Sequence, residues 1–394
     1  MIYGKLYGFQ KEAVDKLLTW GRGLLADEMG LGKSIQCLAL LEKLVRSAPD
    51  LRGKIALVVP AYLKGSWRAE MEKWCFNIPV ELCSYAHVAR HPFATSPEVL
   101  VLDESHYIKN RKSKRYQALR RLRPRHVFLM TGTPTPSRLE ELFCQLSMID
   151  RTLRYWPWVK RYCAARESFF GWDVSGVSHV AELREYLETK MVRRKKETVV
   201  DLPEKIYSVL PVPVKSLEQE KLHRRWLEIN KKLETQEDSR LDFERKQIVS
   251  SLYLMSAQSK VEVVRRLVRD LYDAGETFLV FAFHRCLLDA VDVPHIRIDG
   301  DTKDRMALVE EFQEGKKRVA ALSIRAAGTG LTLTRATKVI FAELTFSPGE
   351  MEQACARAHR IGQKNAVNIY YLLSTKLDKW MYQKLLRKEK KLFL

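Results

Sequence analysis

Apolar residues along the 394-residue chain gather in short continuous runs instead of alternating with polar ones. A first set comprises RGLLA (22–26), IALVVP (55–60), VLVLDE (99–104) and HVFLM (126–130). A second set comprises TFLVFAF (277–283), HIRID (295–299), RVAALSI (318–324), KVIFAEL (338–344) and VNIYYLL (367–373). The first four, apolar throughout, predict strands covered on both faces, as in a parallel sheet layered by helices. Segments of helical period separate them; in KSIQCLALLEKLV, Ile35, Leu38, Leu41 and Val45 share one face. Strand alternating with helix, twice over, predicts an α/β protein of two parallel-sheet lobes in tandem.

Between the two sets the composition changes. No glycine occurs from Val177 to Ala274 and no proline from Val214 to Val293. Residues 215–273 are charged and helix-favouring, which predicts helices added to the edge of the second lobe. The stretch VVDLPEKIYSVLPVPVK, with its three prolines, is the expected crossing between lobes. The expected layout is a first lobe over 1–200 with a helical addition at 138–190, a crossing over 201–215, a helical addition over 216–256 and a second lobe over 257–394.

Lys and Arg outnumber Asp and Glu by 68 to 48, a formal charge of +20. An excess of that size points to a polyanion such as DNA or RNA, because neutralised phosphates release condensed counterions; a merely solvated basic surface is the alternative. The seven cysteines (37, 75, 83, 144, 163, 286, 355) form no C-x-x-C pair. That argues against a structural zinc ribbon, and the odd number argues for a reducing compartment over a disulfide framework. The opening MIYGKLYGFQKEAV lacks the apolar core of a signal peptide, and no run approaches the roughly 20 residues that span a bilayer. A soluble intracellular protein with no membrane association is expected.

Chemistry enters at ADEMGLGKSIQ (26–36). Gly30 and Gly32 let the backbone turn tightly, so that N–H groups along Asp27, Glu28, Met29, Gly30, Leu31 and Gly32 can face phosphate oxygens. Lys33 would reach the β and γ phosphates of ATP, and Ser34 would offer its hydroxyl to Mg²⁺. A helix starting at Lys33 adds the positive end of its dipole. The fuller pattern has glycine six residues before the lysine, where this chain has Asp27. In VLVLDESH, a buried strand delivers two acids to the carboxyl edge of a sheet, where α/β folds bind ligands. Asp103 would hold Mg²⁺ and Glu104 would orient and deprotonate the attacking water, a pairing that predicts ATP hydrolysis.

DEMGLGKS, DESHYIKN and TGTP together resemble the motifs of helicase superfamily two, specifically the SWI/SNF-type ATPases that translocate on double-stranded DNA. The resemblance covers nearly the whole chain. It implies two RecA-like lobes with ATP in the cleft between them. LYGFQKEAV (6–14) resembles the family's opening element, whose glutamine, here Gln10, recognises adenine. VVPAYLKGSWRAEMEKW (58–74) resembles the motif after the first helix, and MVRRKKETVVDLPEK (191–205) the crossing between lobes. DESH together with FAELTFSPG is most similar to the annealing-helicase branch that remodels stalled replication forks.

Near the carboxyl end, SPGEMEQACARAHRIGQ (347–363) predicts a helix capped by Ser347 and Glu350, with Pro348 in its first turn and Gly362 at its stop. Gln353, Arg357 and Arg360 then share one face. A solvated basic face is the alternative to a catalytic one. The segment resembles the family's QxxxRxHRxGQ motif, which implies that Arg357 and Arg360 are arginine fingers; Cys355 and Ala356 stand where relatives usually carry acids. SIRAAGTGLTLT (323–334) resembles the coupling motif, with Gly328 approaching a DNA phosphate, Gly330 the nucleotide, and Thr332 in the place of a common asparagine. By resemblance, Thr131 and Thr133 of TGTP link the γ-phosphate to the DNA track.

Lys64, Trp67, Lys109, Arg111, Arg325 and the run RRLRPRH (120–126) are the expected track contacts. The basic end, KLDKWMYQKLLRKEKKLFL, reads equally as a DNA-facing or a lobe-bracing helix. The expectation is a monomeric ATP-dependent motor on double-stranded or branched DNA, reannealing strands or remodelling forks. A strand-separating helicase of the same superfamily and a nucleic-acid-binding scaffold with a decayed ATPase are the alternatives.

Overall fold

Ile55–Val59 and Val99–Leu102 are buried at every position and lie side by side as parallel strands, as their unbroken apolar runs require. They belong to a computed structural model that describes residues 1–394 apart from 92, 94, 136–137, 169–170, 214–215, 236–237, 325–330 and 392–394. Side chains at 168, 234–235, 348 and 387–391 also fall outside the description. The chain divides into two compact units between Asp201 and Leu202.

In the first unit the strands are β1 (Arg22–Leu25), β2 (Ile55–Val59), β3 (Glu81–Ser84), β4 (Val99–Leu102), β5 (His126–Met130), β6 (Arg166–Ser168), β7 (Gly171–Asp173) and β8 (Met191–Val192). The helices are α1 (Gly8–Trp20), α2 (Lys33–Ser47), α3 (Lys64–Lys73), α4 (Tyr85–Arg90), α5 (Lys114–Arg121), α6 (Leu142–Ile149), α7 (Tyr155–Tyr162), α8 (Val180–Glu188) and α9 (Lys196–Val199). Six strands form one sheet in the order β3-β2-β4-β5-β1-β8, every pairing parallel. Successive residues of a strand point to opposite faces. Ala56 and Val58 therefore enter one core while Ile55, Leu57 and Val59 enter the other. That two-sided burial is why the runs carry no polar alternation.

This order has a consequence for function. β5 pairs with β1 on one side and β4 on the other, so the segments that leave the carboxyl ends of β1, β5 and β4 emerge next to one another. Residues 138–190, expected as a helical addition, hold α6, α7 and α8 and also the antiparallel pair β6–β7.

In the second unit the strands are β9 (Lys205–Pro211), β10 (Phe278–Ala282), β11 (His295–Ile298), β12 (Val319–Ser323), β13 (Lys338–Phe341) and β14 (Val367–Leu373). The helices are α10 (Leu217–Thr235), α11 (Ser239–Asp273), α12 (Arg285–Asp289), α13 (Arg305–Glu314), α14 (Pro348–Ala358) and α15 (Lys376–Lys391). The sheet runs β11-β12-β10-β13-β14-β9, again parallel throughout. The stretch 201–215, expected as a crossing, contributes the edge strand β9, in register with β14 from Lys205 to Pro211. Ile206, Tyr207 and Val209 stay exposed on it.

The expected join at 256/257 falls inside α11, a single 35-residue helix about 52 Å long at 1.5 Å per residue. The C-terminal helix α15 braces this unit by one face. Trp380 meets Trp226 of α10 with ring centroids 5.3 Å apart, and Leu377, Met381 and Leu385 are buried while Leu386 is exposed. Among the described residues no helix is long and apolar enough to cross a membrane.

Candidate active site

The segment between β1 and α2 turns at Gly30 (φ +89°) and Gly32 (φ +75°), left-handed conformations open to glycine without strain. A Cβ at Gly32 would lie 2.7 Å from Gln10 Nε2. Gln10 is buried; its Nε2 donates to the Leu31 carbonyl (3.0 Å) and its Oε1 accepts from the Tyr7 N–H (3.0 Å), which fastens α1 to the loop. Lys33 opens α2 and folds its ammonium back onto the loop, donating to the carbonyls of Asp27 (2.8 Å) and Glu28 (3.3 Å). Met29 is buried against Gly132, where a Cβ would lie 2.5 Å from Met29 Cγ and 3.4 Å from Lys33 Nζ. Gly132 therefore leaves room beside Met29 and the lysine, and Gly32 leaves room for the Gln10 amide.

Asp27, the departure from the fuller glycine pattern, is fully buried. Its Oδ2 accepts from Gln36 Nε2 (3.3 Å) and lies 3.6 Å from Arg194 Nη1. Its Oδ1 finds no hydrogen-bond partner among the described residues. Burial raises its pKa, and the Arg194 guanidinium opposes that shift. Glu28 accepts from the Lys196 N–H (2.7 Å) and lies 3.6 Å from Lys196 Nζ. Backbone bonds from Leu24, Ala26 and Glu28 to the carbonyls of Lys190, Val192 and Arg194 complete the attachment. Residues 190–196 thus staple the loop from the outer edge of β1. Arg194 and Lys196 were not singled out by sequence, because nothing local in RRKK marks which cation turns inward.

Asp103 and Glu104 follow β4. Asp103 Oδ1 accepts from the Glu104 N–H (2.9 Å) and Oδ2 from Trp67 Nε1–H (2.8 Å). Trp67 was expected on the DNA track; it is instead 2 % exposed, and its indole orients the carboxylate. An indole N–H is a donor only, so once buried it needs an acceptor, and Asp103 supplies one. Burial first, then repulsion from Glu104, pushes the Asp103 carboxyl up to about 6. Glu104 has φ +48°, a conformation that costs a non-glycine residue on the order of 1–3 kcal/mol and that clusters at functional sites.

The Glu104 side chain meets the TGTP loop. Oε2 lies 3.5 Å from Thr131 Oγ1 and 3.3 Å from His106 Nδ1, and His106 Nδ1 is 3.0 Å from Thr131 Oγ1. Thr131 Oγ1 also accepts the Thr133 N–H at 3.1 Å. One sheet edge therefore carries the loop after β1, the acids after β4 and the threonines after β5. Ser34 stands in the first turn of α2. Among the described residues no three His, Cys, Asp or Glu side chains form a metal-binding group. A cation held by Asp103 and Ser34 would take its remaining ligands from phosphate oxygens and water, as Mg²⁺ does. The room that Gly132 leaves beside Lys33 and this carboxylate–hydroxyl pair fit a nucleotide with its magnesium ion.

The other expected track contacts are dispersed. Lys64 opens α3, Lys109 pairs with Glu141 (2.8 Å), and Arg111 lies over the Tyr155 ring (4.2 Å). RRLRPRH ends on the first residue of β5, at the amino edge of the sheet and opposite the acids. Arg325, Gly328 and Gly330 lie outside the described residues.

In the second unit α14 begins after Ser347 as expected, without a side-chain cap; the Glu350 N–H bonds the Ser347 carbonyl instead (3.2 Å). The helix ends at Ala358, so Arg360 lies beyond it and does not continue its face; the left-handed turn expected to stop it comes later, at Gly362 (φ +103°). The two guanidiniums nonetheless converge. Arg357 and Arg360 both donate from Nη1 to the Leu331 carbonyl (3.4 Å each), and Arg360 also reaches Thr332 Oγ1 (2.9 Å). Arg357 Nε bonds the carbonyl of Gln353 at 3.1 Å. Gln363 holds the turn in place: its Nε2 donates to the carbonyls of Thr334 (2.9 Å) and Ala336 (2.8 Å). His359 Nε2 lies 2.7 Å from the Pro203 carbonyl. Neither role is visible in the spacing of the motif.

Two family descriptions match the chain, and their boundary falls inside α11 and not between the two units. Residues 9–98 and 87–263 match the SNF2-related domain, and residues 249–362 the helicase conserved C-terminal domain. The chain is 34 % identical over 410 residues to the SWI/SNF-related matrix-associated actin-dependent regulator of chromatin subfamily A-like protein 1 of Xenopus tropicalis, covering 94 % of this chain and 42 % of the relative. It is 34 % identical over 433 residues to the human DNA annealing helicase and endonuclease ZRANB3, covering 98 % of this chain and 40 % of the relative. The chain thus spans about two fifths of the length of these curated relatives. The Sulfolobus solfataricus SWI2/SNF2 ATPase core in complex with dsDNA aligns with a TM-score of 0.47 at 19 % identity, over 98 % of this chain and 92 % of that one. With well over half of its residues matched by one family description, the chain belongs to the SNF2-related family.

Proposed function

We propose that the chain is an ATP-dependent motor on duplex or branched DNA, acting in strand annealing or fork remodelling. The observation that carries this reading is the convergence of Lys33, Asp103, Glu104 and Thr131 on one sheet edge, through the adjacency of β1, β5 and β4. The intact set of acid, lysine and arginines argues against a decayed ATPase, which would have no need to keep Glu104 in a strained conformation.

When bound, ATP with Mg²⁺ supplies an electrophilic γ-phosphorus whose charge is partly neutralised. Lys33 and the N-terminus of α2 then hold the β and γ phosphates, exchanging the loop carbonyls that the ammonium now bonds. Asp103, aimed by Trp67, and Ser34 would ligate the cation. Glu104 positions and deprotonates the attacking water, with His106 and Thr131 fixing its carboxylate. Gln10 lies beside the loop where an adenine edge can be read. Arg357 and Arg360 would act as arginine fingers on the γ-phosphate, a role worth on the order of 10³–10⁵ in rate. A hinge biased by one ligand alternates grip between lobes and so moves along a strand. Thr133, Lys64, Lys109, Arg325 and Gly328 are proposed on that phosphate track; Thr131, expected there too, is buried against Glu104 and would couple the track to the γ-phosphate without touching DNA.

The test is the ATPase rate of the chain with blunt duplex, forked duplex and single-stranded DNA. Stimulation by duplex or fork is expected. Stimulation by single strands alone, with unwinding of a tailed duplex, would replace this reading with the strand-separating helicase. No stimulation by any DNA would end it.

A further inference from the structure

Away from the loops around Lys33, the first unit carries an open pocket of about 610 Å³ whose wall joins aromatic and basic side chains. Trp156 and Trp172 are 46 % and 41 % exposed, with ring centroids 5.5 Å apart and ring planes 56° apart. Trp156 comes from α7 and Trp172 from β7, the second strand of the β6–β7 pair that follows α7 in the chain. Large aromatic side chains contribute most to stability when buried. Two indoles left half-exposed on one concave surface therefore point to an occupant.

The charge of the wall narrows its chemistry. Lys109, Arg111, Lys112 and Arg138 face two acids, Glu140 and Glu141. Both acids are already engaged: Glu141 with Lys109 at 2.8 Å, and Glu140 with the Tyr155 hydroxyl at 2.5 Å. Arg111 stacks on the Tyr155 ring at 4.2 Å, and Lys160 Nζ lies 5.0 Å from the Trp172 ring. The balance is cationic, beside π-faces, in a volume typical of ligand pockets.

A surface that offers stacking and phosphate contacts together fits nucleic acid. A paired duplex keeps its base faces stacked inside and offers only edges, so indoles cannot reach them. Unpaired nucleotides expose those faces. We infer that this pocket binds unpaired nucleotides of single-stranded DNA, the bases stacking on Trp156 and Trp172 and the phosphates meeting Arg111, Lys112 and Arg138. The proposal rests on the reading of the chain as a DNA motor and adds to it the feature of a branched substrate that is recognised: its single-stranded arm. Lys109 on the pocket wall follows directly on the short helix Ser105–Ile108 that carries His106, which connects the pocket to the DESH segment along the chain.

The experiment measures anisotropy of a labelled short oligo(dT) titrated with the full chain, alongside ATPase stimulation by blunt duplex. The variants are Trp156→Leu, Trp172→Leu, Trp172→Phe and the surface pair Lys112→Glu with Arg138→Glu. Each leucine variant is expected to bind oligo(dT) about 5- to 150-fold more weakly, the loss of one base stack. Trp172→Phe should retain most of the affinity, the charge-reversed pair should lose it at least as strongly, and blunt-duplex stimulation should stay at the wild-type level in all four. Thermal melting identifies any leucine variant that fails to fold, and the phenylalanine and charge variants then decide. Wild-type oligo(dT) affinity in folded leucine and charge variants overturns the proposal. So does a wild-type chain that does not bind oligo(dT), which would assign the pocket to another partner such as a protein. A chain whose ATPase ignores all DNA, yet whose leucine variants lose oligo(dT), removes the motor reading and keeps the pocket.

Discussion

Trp67 Nε1–H donates to Asp103 Oδ2 at 2.8 Å, so the carboxylate expected to hold magnesium is aimed by an indole from the helix after β2. Hydrogen bonds to a charged acceptor contribute about 1.5–3 kcal/mol, and this one favours the ionised form. Trp67→Phe keeps most of the buried ring and removes only the donor. The Mg²⁺ concentration for half-maximal ATPase should rise by about 10-fold, and the acid limb of the pH profile should move to higher pH. A magnesium titration at several pH values checks both; an unchanged profile would leave Trp67 a packing residue only.

The elevated Asp103 pKa sets two opposite pH dependences. Metal binding needs the carboxylate, so nucleotide hydrolysis should fall as pH drops through about 6. Stability of the free chain runs the other way. The folded state binds this proton more tightly than the unfolded chain, whose value is near 3.9. Its contribution to stability is therefore complete below about 4 and is lost as pH rises through about 6. Melting temperatures of wild type and Asp103→Asn from pH 4 to 7, without nucleotide, should converge at the acid end and diverge above 6.

Glu104 and Lys33 act at different stages. Glu104→Gln should bind ATP and DNA but turn over at least ~10²-fold more slowly, the usual share of a general base. Lys33→Ala should abolish nucleotide binding or hydrolysis. Equilibrium binding of a fluorescent ATP analogue, set beside steady-state turnover, separates the two; wild-type turnover by Glu104→Gln would remove that residue from the mechanism.

Arg360→Ala should keep ATP affinity within a few-fold while DNA-stimulated turnover falls by on the order of 10³-fold, the low end for an arginine finger. Because Arg360 also bonds Leu331 and Thr332, Arg360→Lys serves as a second variant. It keeps the charge and loses the planar fork. Loss of ATP binding without a specific turnover defect would show that the finger assignment is wrong.

Lys260 and Asp378 form an ion pair at 2.9 Å with side chains 0 % and 1 % exposed, joining α11 to α15. Asp378 also accepts from the N–H groups of Ser374 and Thr375 and from the Ser256 hydroxyl. Removing one partner of a buried pair leaves an uncompensated charge, typically a loss of 3–5 kcal/mol. Lys260→Met should lower stability to chemical denaturation by about that amount. A change within 0.5 kcal/mol, the range of ordinary surface substitutions, would show that Asp378 is held sufficiently by its other donors.

The two lobes were legible in the chain because a strand buried on both faces is apolar at nearly every position; each of the nine runs noted contains a strand of one of the two sheets, and HIRID, which alternates, is an edge strand. Five strands lay outside those runs: the short antiparallel pair β6–β7, and three strands of the main sheets for which that rule relaxes. Glu81–Ser84, Met191–Val192 and Lys205–Pro211 all lie at sheet edges, with solvent or a short partner on one side. Glycine spacing around Lys33 and paired acids after a buried strand were equally local, hence readable: their chemistry depends on neighbours within a few residues. What the linear order could not carry was which side chain turns inward. Trp67 reaches Asp103 across 36 residues and Arg194 reaches Asp27 across 167, and both look like surface residues until strand order brings them together. Sequence determines what each segment can become. Sheet order decides which distant donors complete a buried carboxylate, because leaving such a charge unpaired costs more than any local preference provides.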